Sequence, residues 1–128
     1  MHLLIIDDDE DLVFLAKTFL GRRGFKVKTA LSGEEGLELM KTSDPFDCVI
    51  LDYRFKKTDL QGEDILKLVK EKHKEVPVII SSGFTASYFR KKMPPEVFEL
   101  VAGFVGKNFV DVEFVDSIKE VVEEKKRR

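Results

Sequence analysis

The 128 residues include 22 Lys and Arg and 24 Asp and Glu, for a formal net charge of -2, and 43% of the residues are hydrophobic. This length suits a single domain with a continuous core, so we expect one domain over residues 1–128. The near-balanced charge argues against direct nucleic-acid binding, and no apolar run approaches the about 20 residues that span a membrane. No secretory leader pattern opens the chain, and we therefore expect a cytoplasmic protein.

Five short runs rich in Val, Ile and Leu alternate with longer stretches of helical periodicity, a pattern typical of strand-helix units around a parallel sheet. In the first half of the chain the predicted elements are a strand at 2–6, a helix at 10–23, a strand at 25–30, a helix at 32–40 and a strand at 46–51. In the second half they are a helix at 61–72, a strand at 77–81, a helix at 85–92, a turn at 96–100, a strand at 101–106 and a helix at 112–124.

Local signals define several of these helices. Apolar residues recur at three- and four-residue steps in the first helix and predict one buried stripe of Leu12, Leu15, Ala16, Phe19 and Leu20. Gly24 can end that helix, and Ser32 with Glu35 has the spacing of a capping box that opens the next one. Pro94 and Pro95 interrupt the helical pattern after residue 92.

Polar residues follow the ends of the predicted strands. They are Asp7, Asp8 and Asp9 after the first strand, Asp52 at the end of the third, Ser82 after the fourth and Lys107 after the fifth. Because the carboxyl ends of parallel strands lie along one edge of an open sheet, these side chains are expected to converge there. Each has an ordinary explanation when taken alone, and Asp9 is expected only to open a helix. Together, the carboxylates would repel one another without a cation, and oxygen ligands of this kind suit Mg²⁺.

At these motifs the sequence resembles the receiver domains of two-component response regulators, over essentially the whole chain. The matching segments are LLIIDDDEDL at the start, CVILD ending at Asp52, VPVIISSG containing Ser82 and AGFVGK ending at Lys107. The resemblance implies a flavodoxin-like α/β fold, a (βα)5 three-layer sandwich with a five-stranded parallel sheet in the order 2-1-3-4-5. It also implies a stand-alone, chemotaxis-regulator-like receiver, which is a phospho-acceptor switch and not an enzyme.

The resemblance further implies how the acidic residues act. Asp52 would accept a phosphoryl group from a histidine kinase or a phosphotransfer protein. Asp8 would bind Mg²⁺ (or Mn²⁺) directly and Asp7 largely through water, and Asp52 with the backbone carbonyl of Arg54 would complete the protein ligands of the metal.

The resemblance also implies how the signal leaves the site. Ser82 would bind a phosphoryl oxygen, Lys107 would pair with the phosphate, and Phe104 occupies the aromatic switch position. Charge added to Asp52 would draw Ser82 and Lys107 inward. No effector domain follows the last helix, so the output is expected to pass through an unknown downstream protein, a phosphorelay or a phosphorylation-dependent dimer.

Three features depart from the family pattern. The stretch after Asp52, residues 53–61, lacks the usual Met-Pro pair and is two residues longer than expected. The usual Lys-Pro dipeptide is Lys107-Asn108, for which we expect a trans bond because a non-prolyl cis bond costs about 2.5 to 4 kcal/mol. The segment between the fourth and fifth predicted strands is long and contains Met-Pro-Pro, so we expect a shortened or displaced output helix.

Three other functions fit parts of the pattern. A flavodoxin-like mononucleotide binder needs phosphate-binding amides after the first strand, where three aspartates would instead repel phosphate. A haloacid dehalogenase phosphatase expects a second acid two residues after its strand-end Asp, where Arg54 stands. A degenerate receiver would bind partners without phosphorylation. The residues that disfavour this last reading are Asp7, Asp8, Asp52, Ser82 and Lys107.

Overall fold

The computed structural model describes residues 1–55, 60–107 and 111–127, and within these ranges the fold is a five-stranded parallel sheet with helices on both faces. Its elements are β1 (His2–Ile6), α1 (Glu10–Gly21), β2 (Lys26–Ala30), α2 (Gly33–Thr42), β3 (Cys48–Asp52), α3 (Gly62–Lys72), β4 (Val78–Ser81), α4 (Ala86–Lys92), α5 (Pro95–Phe98), β5 (Gly103–Val105) and α6 (Val112–Arg127). The strand order is β2-β1-β3-β4-β5, which confirms the predicted flavodoxin-like α/β fold.

The core has one layer on each face of the sheet. Successive side chains of a strand point to opposite faces. Ile5, Ile50 and Ile79 therefore pack with α1 and α6, whereas Ile6 and Ile80 pack with α2, α3 and α4. Strands β1 and β3 are buried along their whole length, because they have neighbours on both edges and helices on both faces. This explains the uninterrupted apolar runs in the sequence.

Helix α1 buries a different stripe from the predicted one. Its buried residues are Val13, Ala16 and Leu20, whereas Leu15 is 53% exposed. At about 3.6 residues per turn, Leu15 lies far around the helix from the line through those three residues. The prediction that Leu15 belongs to the buried stripe is therefore wrong. The partly buried residues at the edge of the stripe are Leu12 and Phe19.

The element ends differ slightly from the predicted ones. Helix α1 ends at Gly21, before residue 23, and the chain turns through Gly24, whose φ of 90° favours glycine. Strand β3 begins at Cys48 and not at residue 46, and β5 is shorter than the predicted 101–106. Helix α6 continues to Arg127, past residue 124, and none of the described helices is long and apolar enough to cross a membrane.

The segment between β4 and β5 is divided into two short helices, as the prolines predict. Helix α4 ends at Lys92, where Met93 donates its N–H to the carbonyl of Phe89 at 2.8 Å. Pro94 has no N–H with which to continue this hydrogen-bond ladder, and Pro95 begins the four-residue α5. The expected shortening of the helix after β4 is therefore confirmed.

Candidate functional site

Polar residues lie at the same level on three neighbouring strands of the sheet. Asp52 and Ser81 are register partners on β3 and β4, and Val105 is the next partner on β5. Asp7 directly follows Ile6, the last residue of β1, and so stands beside Asp52. Register partners on parallel strands point to the same face, which here is the face that α1 and α6 cover. The sheet itself therefore brings these side chains together.

Three carboxylates form an acidic cluster at this edge of the sheet. Oxygen atoms of Asp7, Asp8 and Asp52 all lie within 4.8 Å of one another. Asp7 and Asp52 are 2% and 7% exposed, so water screens their charges poorly. An all-oxygen donor set of this kind fits a hard divalent cation such as Mg²⁺.

The third aspartate of the run, Asp9, has a separate structural role. Its Oδ1 accepts the N–H of Leu12 at 3.1 Å, which caps the first turn of α1. Its own backbone N–H donates to Oδ1 of Asp7 at 3.0 Å and so helps to orient that carboxylate. The expectation that Asp9 serves the start of the helix is confirmed.

Lys107 supplies the positive charge of the site. Its Nζ donates to Oδ2 of Asp7 at 2.7 Å and to Oδ1 of Asp52 at 2.8 Å. The lysine follows β5, so its side chain reaches across the end of β4 to meet the two carboxylates. The neighbouring Asn108 lies outside the described residues, and the trans Lys107-Asn108 bond stays a prediction.

The surroundings of Asp52 disfavour the charged form of its carboxyl. Burial raises the pKa of the Asp52 carboxyl above its ordinary value of 3.8, and the charge of Asp7 raises this pKa further. Hydrogen bonds from Lys107 and from the backbone of Arg54 act in the opposite direction without outweighing burial. Burial lowers the pKa of Lys107, but its hydrogen bonds to Asp52 and Asp7 and their charges raise it above 10.5 overall.

Ser82 is buried directly after the end of β4, and its hydroxyl bonds to its own loop. Its backbone N–H donates to the carbonyl of Val105 at 3.0 Å, and its Oγ accepts the N–H of Phe84 at 3.1 Å. The side chain of Arg54 is exposed, and its guanidinium lies over the ring of Phe84. Arg54 and Phe84, which follow Asp52 and Ser82 by two residues, therefore lie close together, and we call the position of this pair the mouth of the site.

Phe104 lies within a stack of aromatic rings on the other face of the sheet. Its ring centroid is 5.2 Å from that of Phe89 in α4 and 5.5 Å from that of Phe98 in α5, and both pairs are stacked. The ring is only partly buried. Both short helices after β4 thus contact Phe104, for which the resemblance to receiver domains implies the aromatic switch position.

The described ends of the loop after β3 are fixed by hydrogen bonds. The side-chain amide of Gln61 bonds to both the N–H and the carbonyl of Phe55, each at 2.9 Å. A Cβ atom at Gly62 would lie 2.5 Å from the carbonyl oxygen of Tyr53, so this close approach requires glycine. Residues 56–59, where the extra length was expected, lie outside the described residues.

Sequence reasoning did not single out Ser81. Its side chain is fully buried, and its Oγ has no hydrogen-bond partner among the described residues. The available signal was a serine at the end of the otherwise apolar strand VIIS. Ser81 stands in register with Asp52 and therefore belongs to the same edge of the sheet.

Comparison with known proteins places this chain in a family. A family model described as the response regulator receiver domain matches residues 3–119. Response regulator SaeR of Staphylococcus aureus is 33% identical over 87 residues, which cover 68% of this chain and 36% of SaeR. The chain therefore matches about a third of the length of that relative.

Solved structures agree with this assignment. A response regulator receiver domain protein from Clostridium thermocellum is 27% identical with a TM-score of 0.80, over 98% of this chain and 97% of that one. Response regulator TrrA from Thermotoga maritima, in complex with Mg(2+)-BeF, is 24% identical with a TM-score of 0.78, over 94% and 97% of the two chains, and supports the fold. The chain belongs to the response regulator receiver domain family, whose general role is phosphorylation-dependent signalling.

Proposed function

We propose that residues 1–128 act as one receiver domain in which Asp52 accepts a phosphoryl group from a histidine kinase or a phosphotransfer protein. The observation that carries this proposal is the bridge from Lys107 to both Asp7 and Asp52 inside a cluster of three carboxylates. An ammonium in this position neutralises part of the cluster and stands where a phosphoryl group on Asp52 would need positive charge.

The acidic residues would hold Mg²⁺ or Mn²⁺. Asp8 would bind the ion directly, Asp7 largely through water, and Asp52 and the backbone carbonyl of Arg54 would complete the protein ligands. Mg²⁺ keeps several waters and uses few carboxylates, which agrees with a cluster at an open edge of the sheet. When bound, the ion supplies positive charge over the phosphoryl oxygens.

In the proposed reaction a carboxylate oxygen of Asp52 attacks the phosphorus of a phosphohistidine in line. The phosphorus–nitrogen bond breaks, its electron pair leaves with the histidine, and an acyl phosphate forms on Asp52. Lys107 would then pair with a phosphoryl oxygen. The chain would in this way promote its own phosphorylation and a slow dephosphorylation, as a switch and not as an enzyme that turns over a substrate.

The proposed switch converts the new charge into a change of shape. The Ser82 hydroxyl, which accepts the N–H of Phe84, would turn to donate a hydrogen bond to a phosphoryl oxygen, and this turn would move the loop after β4. Phe104 packs on α4 and α5 and would respond to that movement. The altered surface would then reach an unknown downstream protein or promote a dimer, which a pull-down comparing phosphorylated with unphosphorylated protein would identify.

Incubation with acetyl phosphate and Mg²⁺, followed by intact mass measurement, tests the acceptor. We expect one phosphoryl addition on the unaltered protein, none on Asp52→Asn, and none without the metal. Asp44→Asn is the matched control, because this exposed carboxylate lies away from the cluster and should leave labelling unchanged. An unaltered, folded protein that takes up no phosphoryl group would contradict the proposal and favour the degenerate receiver.

A further inference from the structure

The hydroxyl of Ser81 is buried at the end of β4, where it has no hydrogen-bond partner among the described residues. The residue has no exposed surface, and its Oγ makes no hydrogen bond within the part of the chain that the structure describes. The other three residues of β4 are apolar and fully buried. An alanine would avoid the free-energy cost of burying this hydroxyl, so its presence calls for a use in another state of the protein.

The position of Ser81 places this hydroxyl on the path of Lys107. Ser81 lies between Asp52 and Val105 in one row of register partners across the sheet. Lys107 follows Val105 by two residues, and its ammonium contacts Asp52 on the far side of β4. The lysine side chain therefore crosses the end of β4 on the face to which Ser81 points.

A metal ion would disturb the present contacts of Lys107. Asp7 and Asp52 are hydrogen-bond acceptors of the ammonium and also members of the carboxylate cluster that fits a divalent cation. Two cations on one buried carboxylate repel each other, so binding of the ion would weaken both of these hydrogen bonds. The ammonium has three donors, and a donor released from a carboxylate can bond to another acceptor close by.

We infer that Ser81 is a positioning residue for Lys107: its hydroxyl accepts a hydrogen bond from the ammonium when a divalent cation binds the carboxylate cluster. This inference rests on the proposed function, because it describes the metal-loaded form of the same site. Ser81 then keeps Lys107 above the end of β4 and close to Asp52, where the phosphoryl group arrives. A neutral acceptor suits this role, since a fourth carboxylate would add to the repulsion within the cluster.

The test is a Mg²⁺ titration of the full chain. NMR monitors the chemical shift of the backbone amide of Tyr53, the neighbour of Asp52, at each step of the titration. We expect Ser81→Ala to weaken Mg²⁺ binding roughly three- to tenfold, the net value of one ordinary hydrogen bond in a protein. Ser81→Thr keeps the hydroxyl and should retain the affinity. The thermal midpoint of the metal-free protein should not fall with Ser81→Ala, because the hydroxyl makes no hydrogen bond within the described ranges of the chain.

Two further variants separate positioning from a general structural effect. In a Lys107→Met background, Ser81→Ala should cause no further loss of Mg²⁺ affinity, because its effect passes through the lysine. Ser43→Ala is the matched control: Ser43 accepts a hydrogen bond from Lys28 at 2.9 Å, and this pair lies away from the carboxylate cluster. Its removal should leave Mg²⁺ binding unchanged.

The outcomes distinguish this inference from the proposed function. If the unaltered protein binds Mg²⁺ and labels with acetyl phosphate while Ser81→Ala binds Mg²⁺ equally well, the inference alone is wrong. An equal loss of affinity from Ser81→Ala with and without Lys107 would also overturn it. If the unaltered protein neither binds Mg²⁺ nor takes up phosphoryl groups, the proposed function fails and the role of Ser81 fails with it.

Discussion

The Nζ atom of Lys107 lies 2.8 Å from Oδ1 of Asp52, although 55 residues separate the two along the chain. The pair forms because β5 and β3 end at the same edge of the sheet and only β4 lies between them. One ammonium thus compensates two carboxylates, Asp7 and Asp52, that burial would otherwise leave unfavourably charged.

The contribution of Lys107 to stability should depend on pH. Its folded pKa is raised above 10.5, so the fold favours the charged lysine. This contribution is fully present below the unfolded pKa of 10.5 and is lost as the pH rises through the higher folded pKa. We expect Lys107→Met to lower the free energy of unfolding at pH 7.5 by about 1 to 3 kcal/mol, less than for a fully buried pair because the lysine is partly exposed.

Urea unfolding of both proteins at a series of pH values measures this difference. It should stay constant from pH 7 to 9 and shrink above about pH 10.5. A difference that stays constant into strongly alkaline solution would show that Lys107 stabilises the fold by packing and not by its charge.

Replacement of Asp52 by asparagine should stabilise the protein while removing its phosphorylation. Burial raises the pKa of Asp52, so the folded protein favours the neutral carboxyl. The favourable contribution of the neutral carboxyl to stability is present at low pH and is lost as the pH rises through the folded pKa. At neutral pH the charged carboxylate therefore costs stability, which a neutral amide avoids. We expect Asp52→Asn to raise the free energy of unfolding by about 1 kcal/mol.

Thermal or urea unfolding without metal checks this expectation. The control is Asp44→Asn, which should have almost no effect on stability because the Asp44 side chain is 82% exposed. A loss of stability in Asp52→Asn would mean that the ion pair with Lys107 outweighs the cost of burying the carboxylate.

Alanine substitutions at the adjacent Asp8 and Asp9 should affect different properties of the protein. Asp8→Ala removes a carboxylate of the cluster and should weaken Mg²⁺ binding at least tenfold, on the order of one direct charged ligand. Asp9→Ala removes the cap of α1 and should cost about 0.5 to 2 kcal/mol of stability with a smaller change in Mg²⁺ affinity. Calorimetric Mg²⁺ titration and urea unfolding of both variants give the comparison. Equal losses of affinity would show that the two acids have been assigned the wrong roles.

The sequence predicted the parallel sheet and the convergence of the acidic residues because both follow from local patterns, whereas the strand order followed only from the resemblance to receiver domains. Apolar runs mark buried strands, and residues after parallel strands must meet at one edge. The exposure of Leu15 was not predictable in the same way, since its helix has apolar residues on more than one side and the neighbouring strands select which side is buried.

Contacts between distant short elements also escaped prediction. Phe98 packs on Phe104 because two prolines bend the chain back after α4, and no periodicity in the sequence specifies that geometry. That the Ser81 hydroxyl has no hydrogen-bond partner among the described residues depends on side-chain positions across three strands, so the sequence offered only an unexpected serine in an apolar run.

Arg54 and Phe84 lie at the mouth of the site and contact each other. They follow Asp52 and Ser82 by two residues, and the guanidinium carbon is 5.7 Å from the ring centroid. Phe84 is 51% exposed, and its ring also stacks on the ring of Tyr88, with the two centroids 4.3 Å apart. A cation on an aromatic ring is a weak contact at an exposed position, but here the rings of α4 hold Phe84 in place.

This pair should slow the loss of phosphate from Asp52, because hydrolysis requires a water molecule in line with the phosphorus and neither side chain is a base for that water. We expect the double variant Arg54→Asn and Phe84→Ala to lose phosphate faster, on the order of threefold to tenfold. The measurement is the decay of phosphoprotein after removal of acetyl phosphate at constant Mg²⁺. Arg90→Asn is the matched control, because Arg90 lies over Phe98 at 5.0 Å and away from Asp52, and its decay should equal that of the unaltered protein. Unchanged or slower decay in the double variant would mean that these side chains leave the phosphorus open, and that the loop spanning residues 53–61 controls the access of water instead.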